Sequence, residues 1–171
     1  MSAIEKDPPK GEKGICWQLV TNVPTMNFED ALTRVFWYTQ RWKIETFHRT
    51  LKSGCKIEEL QAESAEKLEK LIAIYSIVAM YIMLLGYAAR SQPDAPCDLW
   101  LEEAEWKILY MAANKTKEVP EEAPTIREAV RMIAKLGGFL GRKSDGEPGV
   151  TVVWRGLAKL YTIMEVAEIF M

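Results

Sequence analysis

Hydrophobic and polar positions alternate along one short segment near the start of the chain and follow helical spacings over most of what remains. Residues 15–21 alternate and are rich in β-prone side chains, so they predict one strand, which Asn22 and Pro24 terminate. Capping residues and apolar spacings predict five helices after it. These helices run over residues 28–54, 64–90, 99–113, 125–137 and 152–170. The fold class is therefore mainly α (α+β).

The predicted strand has no predicted partner, because residues 1–14 are polar, contain prolines and glycines, and are interpreted as a loop. An isolated strand leaves its backbone N–H and C=O groups without hydrogen bonds. We therefore expect further strands, either from another part of a longer protein or from a second copy of the chain.

The segment from Leu71 to Ala89 runs for 19 residues without a charged side chain. A membrane-spanning helix needs about 20 mostly apolar residues, so a small membrane protein is one interpretation. Tyrosines and the polar Ser76 are spread through the segment instead of gathering at its ends. A central helix that protein buries on all sides is the favoured interpretation.

Composition limits the chain to one ordinary domain or a part of something larger. The 171 residues are 49% hydrophobic and 27% charged, which allows a buried core and excludes broad disorder. Three separated cysteines and a single histidine argue against a zinc site or a disulfide framework. The N-terminus lacks the apolar region of a secretory signal, and a cytoplasmic protein outside the membrane is expected.

The net charge of -2 hides a basic segment. Between Arg34 and Lys56 there are six basic residues and one acid. At about 100° per residue, a helix brings five of the polar residues into an arc of about 80° that runs about 21 Å along its axis. This signature stripe consists of Tyr38, Arg41, Glu45, Arg49 and Lys52. It indicates a localised anion site instead of a generally basic nucleic-acid coat.

The residues alone leave two interpretations of the signature stripe open. Carboxylates hold the divalent metals that assist phosphoryl transfer, and arginine and lysine bind phosphate oxygens, so the stripe can form a metal and phosphate site. A solvated helix face with the i,i+4 ion pairs Arg41–Glu45 and Glu45–Arg49 explains the same pattern. The aromatic residues near the stripe either belong to the core or stack on unpaired bases. They are Trp17, Trp37, Trp42 and Phe47.

The series Tyr38-x2-Arg41-x3-Glu45-x6-Lys52 resembles the Y-R-E-K signature of bacterial cut-and-paste DDE transposases, the insertion-sequence group that includes the transposase of transposon five. Residues 19–24, 136–139 and 154–157 are similar to further parts of that family. The resemblance implies the last strand and helix of an RNase H-like catalytic core in residues 1–56. It implies a helical C-terminal dimerisation region in residues 57–171.

The resemblance also implies a role for each residue of the signature. Glu45 takes the place of the third catalytic acid and binds the divalent metal, Mg²⁺ or Mn²⁺ in the intact enzyme. Tyr38, Arg41 and Lys52 hold phosphates near the transposon end and its flipped base. Arg49 lies on the same stripe, at a position that is often basic in the family. Trp17 takes the place of a tryptophan that stacks on the flipped base.

The last predicted helix corresponds to the region through which this family dimerises across paired DNA ends. Its apolar residues are expected at that interface, although core packing predicts the same spacing. They are Trp154, Leu157, Leu160, Tyr161, Met164 and Phe170.

The sequence departs from the family in its acidic residues. The family has two catalytic aspartates upstream of the signature, but only Asp7 precedes the helix here, and Asp30 lies within the helix. We therefore expect a C-terminal transposase fragment that binds transposon-end DNA, pairs with another copy or with a full-length transposase, and is inactive alone. We expect the fragment itself to hold no stably bound cofactor. The alternative is a truncated regulatory module that dimerises with a full-length transposase and inhibits it.

Overall fold

The computed structural model describes residues 1–170, apart from the side chains of Glu168 and Phe170, and shows a mainly helical chain with one two-stranded sheet. The strands are β1 (Ser2–Ile4) and β2 (Cys16–Gln18), and the helices are α1 (Phe28–Thr39), α2 (Arg41–Arg49), α3 (Ala65–Ser91), α4 (Glu103–Asn114), α5 (Ile126–Leu136) and α6 (Val150–Phe170). A π-helical turn covers Thr50–Gly54, and 3₁₀ turns cover Ile57–Glu59 and Cys97–Leu99. The chain divides into two compact units, residues 1–45 and residues 46 onward, which are described separately.

In the first unit, β2 has a partner within its own chain. β1 pairs with β2 in antiparallel register, with Ala3 opposite Trp17. The prediction of a loop over the whole of residues 1–14 is therefore wrong at its start, and the strand needs neither a second copy nor another segment for its first partner. Residues 2–4 contain a single β-branched side chain and give no local strand signal, because the pairing is a contact with residues far along the chain.

The predicted continuous helix over residues 28–54 is interrupted at Gln40. The Gln40 N–H donates to the Trp37 carbonyl at 3.1 Å, which is the tighter i→i−3 pattern. The Thr39 hydroxyl donates to the Phe36 carbonyl at 2.6 Å, so a side chain satisfies a backbone acceptor at the end of α1. The Asn27 side chain accepts from the Asp30 N–H at the other end, as its capping role predicts.

In the second unit, α2 ends in the π-helical turn. The Cys55 N–H donates to the Thr50 carbonyl at 2.9 Å, an i→i−5 bond that widens the turn. Thr50 is fully buried, and its hydroxyl donates to the Thr46 carbonyl at 2.9 Å. The turn packs on α3 and α6, with Gly54 close to Val150. This packing holds the exposed residues of the turn on the surface of the helical unit.

Helices α3 to α6 enclose the core of the second unit, and α5 packs most extensively on α6. The largest fully buried side chains include Ile82, Leu85, Leu109, Ile133 and Leu160. Side chains cap two of these helices, since Ser64 accepts from the Lys67 N–H and Thr125 forms a capping box with Glu128.

Two glycines let α5 and α6 approach closely. A Cβ atom on Gly156 of α6 would lie 1.8 Å from the Ile133 carbonyl oxygen of α5. A Cβ atom on Gly137, just after α5, would lie 1.8 Å from the Val152 carbonyl oxygen. Both distances are far inside van der Waals contact, so only glycine fits at either position.

Helix α3 is long and apolar enough to cross a membrane by length and composition, but its inner face lies in the protein core. The expectation that protein buries α3 on all sides is wrong for the single chain. Among the described residues of α3, six large hydrophobic side chains are at least two-fifths exposed, and four of them follow helical spacing along one side of its C-terminal part. This α3 outer stripe consists of Ile77, Met80, Leu84 and Tyr87.

The apolar residues of α6 separate into two groups. Leu157 and Leu160 are buried in the core of their own chain, so core packing accounts for them. Tyr161 is 44% exposed, and Val166 and Ile169 are also exposed. The Phe170 side chain, also predicted for the interface, lies outside the described residues.

Candidate DNA-binding and metal-ligand site

The structure distributes the six predicted site residues over three consecutive helical segments and one strand. In the first unit, Trp17 lies on β2, Tyr38 in the last turn of α1, and Arg41 and Glu45 on α2. In the second unit, Arg49 is the last residue of α2 and Lys52 lies on the π-helical turn. The break at Gln40 and the π-helical turn both depart from a uniform helix, which is the assumption behind the predicted 80° arc.

Trp17 and Tyr38 contact each other within the first unit. Their ring centroids are 5.0 Å apart, and their planes meet at 70°. This edge-to-face geometry is favourable for aromatic pairs because the positive ring edge faces the negative ring face. Both side chains are partly buried. The structure therefore places the predicted base-stacking tryptophan against the tyrosine of the signature.

Arg41 and Glu45 form an ion pair one turn apart on α2. Arg41 Nη1 lies 2.5 Å from Glu45 Oε1, and the two side chains are 47% and 41% exposed. The hydrogen bond to Glu45, reinforced by its negative charge, raises the pKa of the Arg41 guanidinium. The interpretation of the stripe as a solvated helix face predicts this pair. An exposed pair contributes little to stability, so both groups remain accessible to a competing phosphate or cation.

The guanidinium of Arg41 also lies near two aromatic rings. Its Cζ atom is 5.6 Å from the centroid of Tyr38 and 5.5 Å from that of Trp42. These distances fall within the range of cation–π attraction. Arg41 is thus the side chain that joins the acidic and aromatic parts of the first-unit site.

Arg49 and Lys52 are the two cations of the second-unit part of the signature. Both are exposed, and Lys52 Nζ lies 2.7 Å from Glu58 Oε1. The Lys52–Glu58 pair is about two-thirds exposed on each side, so water screens it strongly. The buried Thr50 and Cys55 on either side of Lys52 fix the backbone that carries it.

The described side chains contain no cluster of three or more His, Cys, Asp or Glu that could hold a metal ion. Glu45 is an accessible carboxylate and fits the role of one ligand to a hard cation such as Mg²⁺. One carboxylate does not by itself make a metal site, so a bound metal requires ligands beyond those that this part of the chain brings together.

Sequence reasoning missed the pairing of Arg34 with Trp37. The Arg34 Cζ atom lies 4.2 Å from the centroid of the Trp37 ring, closer than Arg41 Cζ lies to the rings of Tyr38 and Trp42. Arg34 Nη2 also donates to the Pro24 carbonyl at 3.2 Å, which holds the guanidinium from a second direction. The i,i+3 spacing of the two residues on α1 is the signal that predicts such a contact.

Comparison with protein families shows which family this chain belongs to. A model described as the Transposase Tn5 dimerisation domain matches residues 77–170, and one described as the Transposase DDE domain matches residues 5–81. The first match covers more than half of the chain. The chain belongs to the Tn5 transposase family. Membership implies DNA binding, dimer formation and the use of a divalent metal by the intact enzyme, and all six candidate site residues lie within the DDE-domain match.

Proposed function

We propose that this chain supplies the C-terminal end of the catalytic core and the dimer contact of a cut-and-paste DNA transposase. In this proposal residues 1–56 complete an RNase H-like core and residues 57–171 form the dimerisation region. The supporting observation is the match of residues 5–81 to the Transposase DDE domain, a segment that contains the accessible carboxylate of Glu45 paired with Arg41. The intact enzyme then performs DNA strand cleavage and transfer, and it acts in the cytoplasm.

The signature residues divide the work of DNA binding among them. Arg41, Arg49 and Lys52 bind phosphate oxygens, and Arg can do so through two parallel hydrogen bonds. The Tyr38 hydroxyl donates to a further phosphate. Trp17, whose ring packs against Tyr38, stacks on a base flipped out near the transposon end.

Glu45 contributes one carboxylate to the metal of the intact enzyme, which would supply Lewis-acid assistance to phosphoryl transfer when bound. The pair with Arg41 keeps the carboxylate on the surface and offers a neighbouring cation for a phosphate. Because the described residues contain no group of three or more His, Cys, Asp or Glu that could hold a metal ion, we expect the isolated chain to cleave no DNA with Mg²⁺ or Mn²⁺. Cleavage that disappeared in Glu45→Ala would contradict this expectation.

The α3 outer stripe binds a second copy of the chain in this proposal. All four of its residues fall within the match to the Transposase Tn5 dimerisation domain, and Ile77 is 71% exposed. Three further exposed apolar residues of α6, Tyr161, Val166 and Ile169, lie in the same matched region. Removing these side chains from water is a driving force for association.

Fluorescence anisotropy with a labelled mixed-sequence duplex tests the DNA-binding part. Arg49→Gln and Lys52→Gln should each weaken binding and reduce the slope of log affinity against log salt by about 1, because each removes one phosphate contact. Lys67→Gln is the matched control, since Lys67 is an exposed lysine on α3 that pairs with Glu63. Signature variants that bind like the control would refute the proposed role.

A regulatory role is the second candidate, favoured by the dimerisation match over more than half of the chain. Such a chain would pair with a full-length transposase of the family and lower its rate of strand cleavage. Ile77→Glu should relieve the inhibition by blocking the pairing. If Ile77→Glu still inhibits the full-length transposase, or if the wild-type chain does not inhibit it, regulation through the α3 outer stripe is contradicted.

A further inference from the structure

We propose that Trp37, backed by Arg34, forms a stacking site for an unpaired nucleobase that is separate from the Trp17–Tyr38 pair. The site rests on the DNA binding of the proposed function and adds a contact outside the signature residues. Both side chains belong to α1, and Trp37 lies in its last turn.

The first observation is the exposure of an indole on a helix surface. Trp37 is 53% exposed, although burying a tryptophan side chain from water is strongly favourable. A half-exposed indole therefore offers a large apolar face to a ligand. The bases of nucleic acid have π-faces of the right kind, and an aromatic platform accepts any of them.

The second observation is the position of the Arg34 guanidinium. Its Cζ atom lies 4.2 Å from the Trp37 centroid, and Nη2 donates to the Pro24 carbonyl at 3.2 Å. Two contacts thus hold the guanidinium against the ring and restrict the rotation of the indole. A preorganised platform loses less conformational entropy when a base binds to it.

The third observation is the charge around the indole. Arg34 stacks on Trp37. Arg41, on the next helical segment of the same unit, lies near Tyr38 and Trp42. Aromatic rings interleaved with arginines are the usual surface for single-stranded nucleic acid, because the cations attract the backbone while the rings stack on bases. An apolar protein partner would gain nothing from these positive charges, so the surface favours DNA.

The same helix provides a matched control. Phe28 is 74% exposed at the start of α1, and the acids Glu29 and Asp30 follow it in the first turn. It is therefore an exposed aromatic residue of the same unit in an acidic setting instead of a basic one. Loss of Phe28 should leave binding of single-stranded DNA unchanged.

The test measures binding of a short labelled oligodeoxythymidylate to the full chain by fluorescence anisotropy, beside a blunt duplex of the same length. Trp37→Leu keeps apolar volume but removes the stacking ring, so affinity for the single strand should fall by about 5-fold or more. Trp37→Phe should retain part of the affinity, and Phe28→Leu should retain all of it. The salt slope of Trp37→Leu should stay at the wild-type value, because stacking releases no counterions.

Trp37→Leu binding the single strand as tightly as Phe28→Leu would overturn the proposal and point to protein as the covering partner. If circular dichroism shows that Trp37→Leu is unfolded, Arg34→Gln decides, with weaker single-strand binding expected and unchanged binding contradicting the proposal. If Arg49→Gln and Lys52→Gln leave the slope of log affinity against log salt unchanged, only the phosphate-binding proposal is refuted, since those variants leave Trp37 untouched.

Discussion

The rings of Trp17 and Tyr38 pack edge to face, with centroids 5.0 Å apart and planes at 70°. The contact joins β2 to the last turn of α1, residues that are far apart in sequence. It therefore ties the small sheet to the start of the signature within the first unit.

The Trp17–Tyr38 contact should be measurable as a coupling energy. A double-mutant cycle of Trp17→Ala and Tyr38→Ala, followed by urea unfolding, should give a coupling of about 0.5–1.5 kcal/mol, the range for such aromatic pairs. A second cycle that combines Trp17→Ala with Phe28→Ala is the control and should be additive. Additivity in both cycles would show that the ring contact contributes nothing to the unfolding free energy.

The close approach of α5 and α6 predicts opposite effects for one substitution at two glycines. Gly156→Ala should lower the unfolding free energy by about 1–3 kcal/mol or more, since its Cβ would overlap the Ile133 carbonyl oxygen. Gly86→Ala should raise it by up to about 1 kcal/mol, because alanine is the better helix former and only flexible Arg90 atoms lie near. Thermal unfolding of both variants checks the signs. Equal effects at the two positions would contradict the close packing at Gly156.

Glu147 should make the second unit sensitive to acid. Burial of its carboxylate acts to raise the pKa, but hydrogen bonds from Arg127 and Arg131 outweigh this and hold the pKa below its ordinary value. A lowered folded-state pKa means that the stabilisation is present above about pH 4.3, the unfolded value, and is lost as the pH falls through the folded value.

Glu147→Gln tests this pH dependence in urea unfolding between neutral and acidic pH. The variant should be less stable than the wild type at neutral pH, by about 1 kcal/mol at most, because the group is a third exposed and solvent screens it. The difference should shrink below about pH 4. Glu122 is an exposed acid in the loop between α4 and α5, and Glu122→Gln should show no such pH dependence. A Glu147→Gln difference that is constant with pH would exclude the ion pairs as its source.

The α3 outer stripe predicts that dimerisation is separable from folding. Ile77→Glu should weaken the dimer in sedimentation equilibrium while leaving the melting temperature of the monomer nearly unchanged, because Ile77 is 71% exposed. Leu85→Ala should instead lower the unfolding free energy by about 2–5 kcal/mol, since Leu85 is fully buried. Leu99→Glu, at a 69% exposed position off the stripe, should alter neither property. An unchanged dimer in Ile77→Glu would place the interface elsewhere.

Much of the candidate site could be predicted from sequence because its spacing is local. The pair Arg41–Glu45 follows from the four-residue interval on a helix, and the capping box Thr125–Glu128 follows from an interval of three. The Arg34–Trp37 contact has the same kind of signal but was hidden among other basic residues. The Trp17–Tyr38 contact has no such signal, because a folded chain must first bring β2 to α1.

The sequence by itself determined the mainly helical class, most helix positions and the family resemblance, because caps, apolar periodicity and motif spacing act over a few residues. Tertiary structure decided the pairing of β1 with β2, the close approach at Gly137 and Gly156, and which face of α3 is left exposed. Tertiary structure also interrupted the helix predicted over residues 28–54 at Gln40 and widened it at Thr50. At both points side-chain hydrogen bonds and burial compete with regular helix geometry. Contacts between distant residues depend on how whole elements pack, and no short interval in the sequence encodes them.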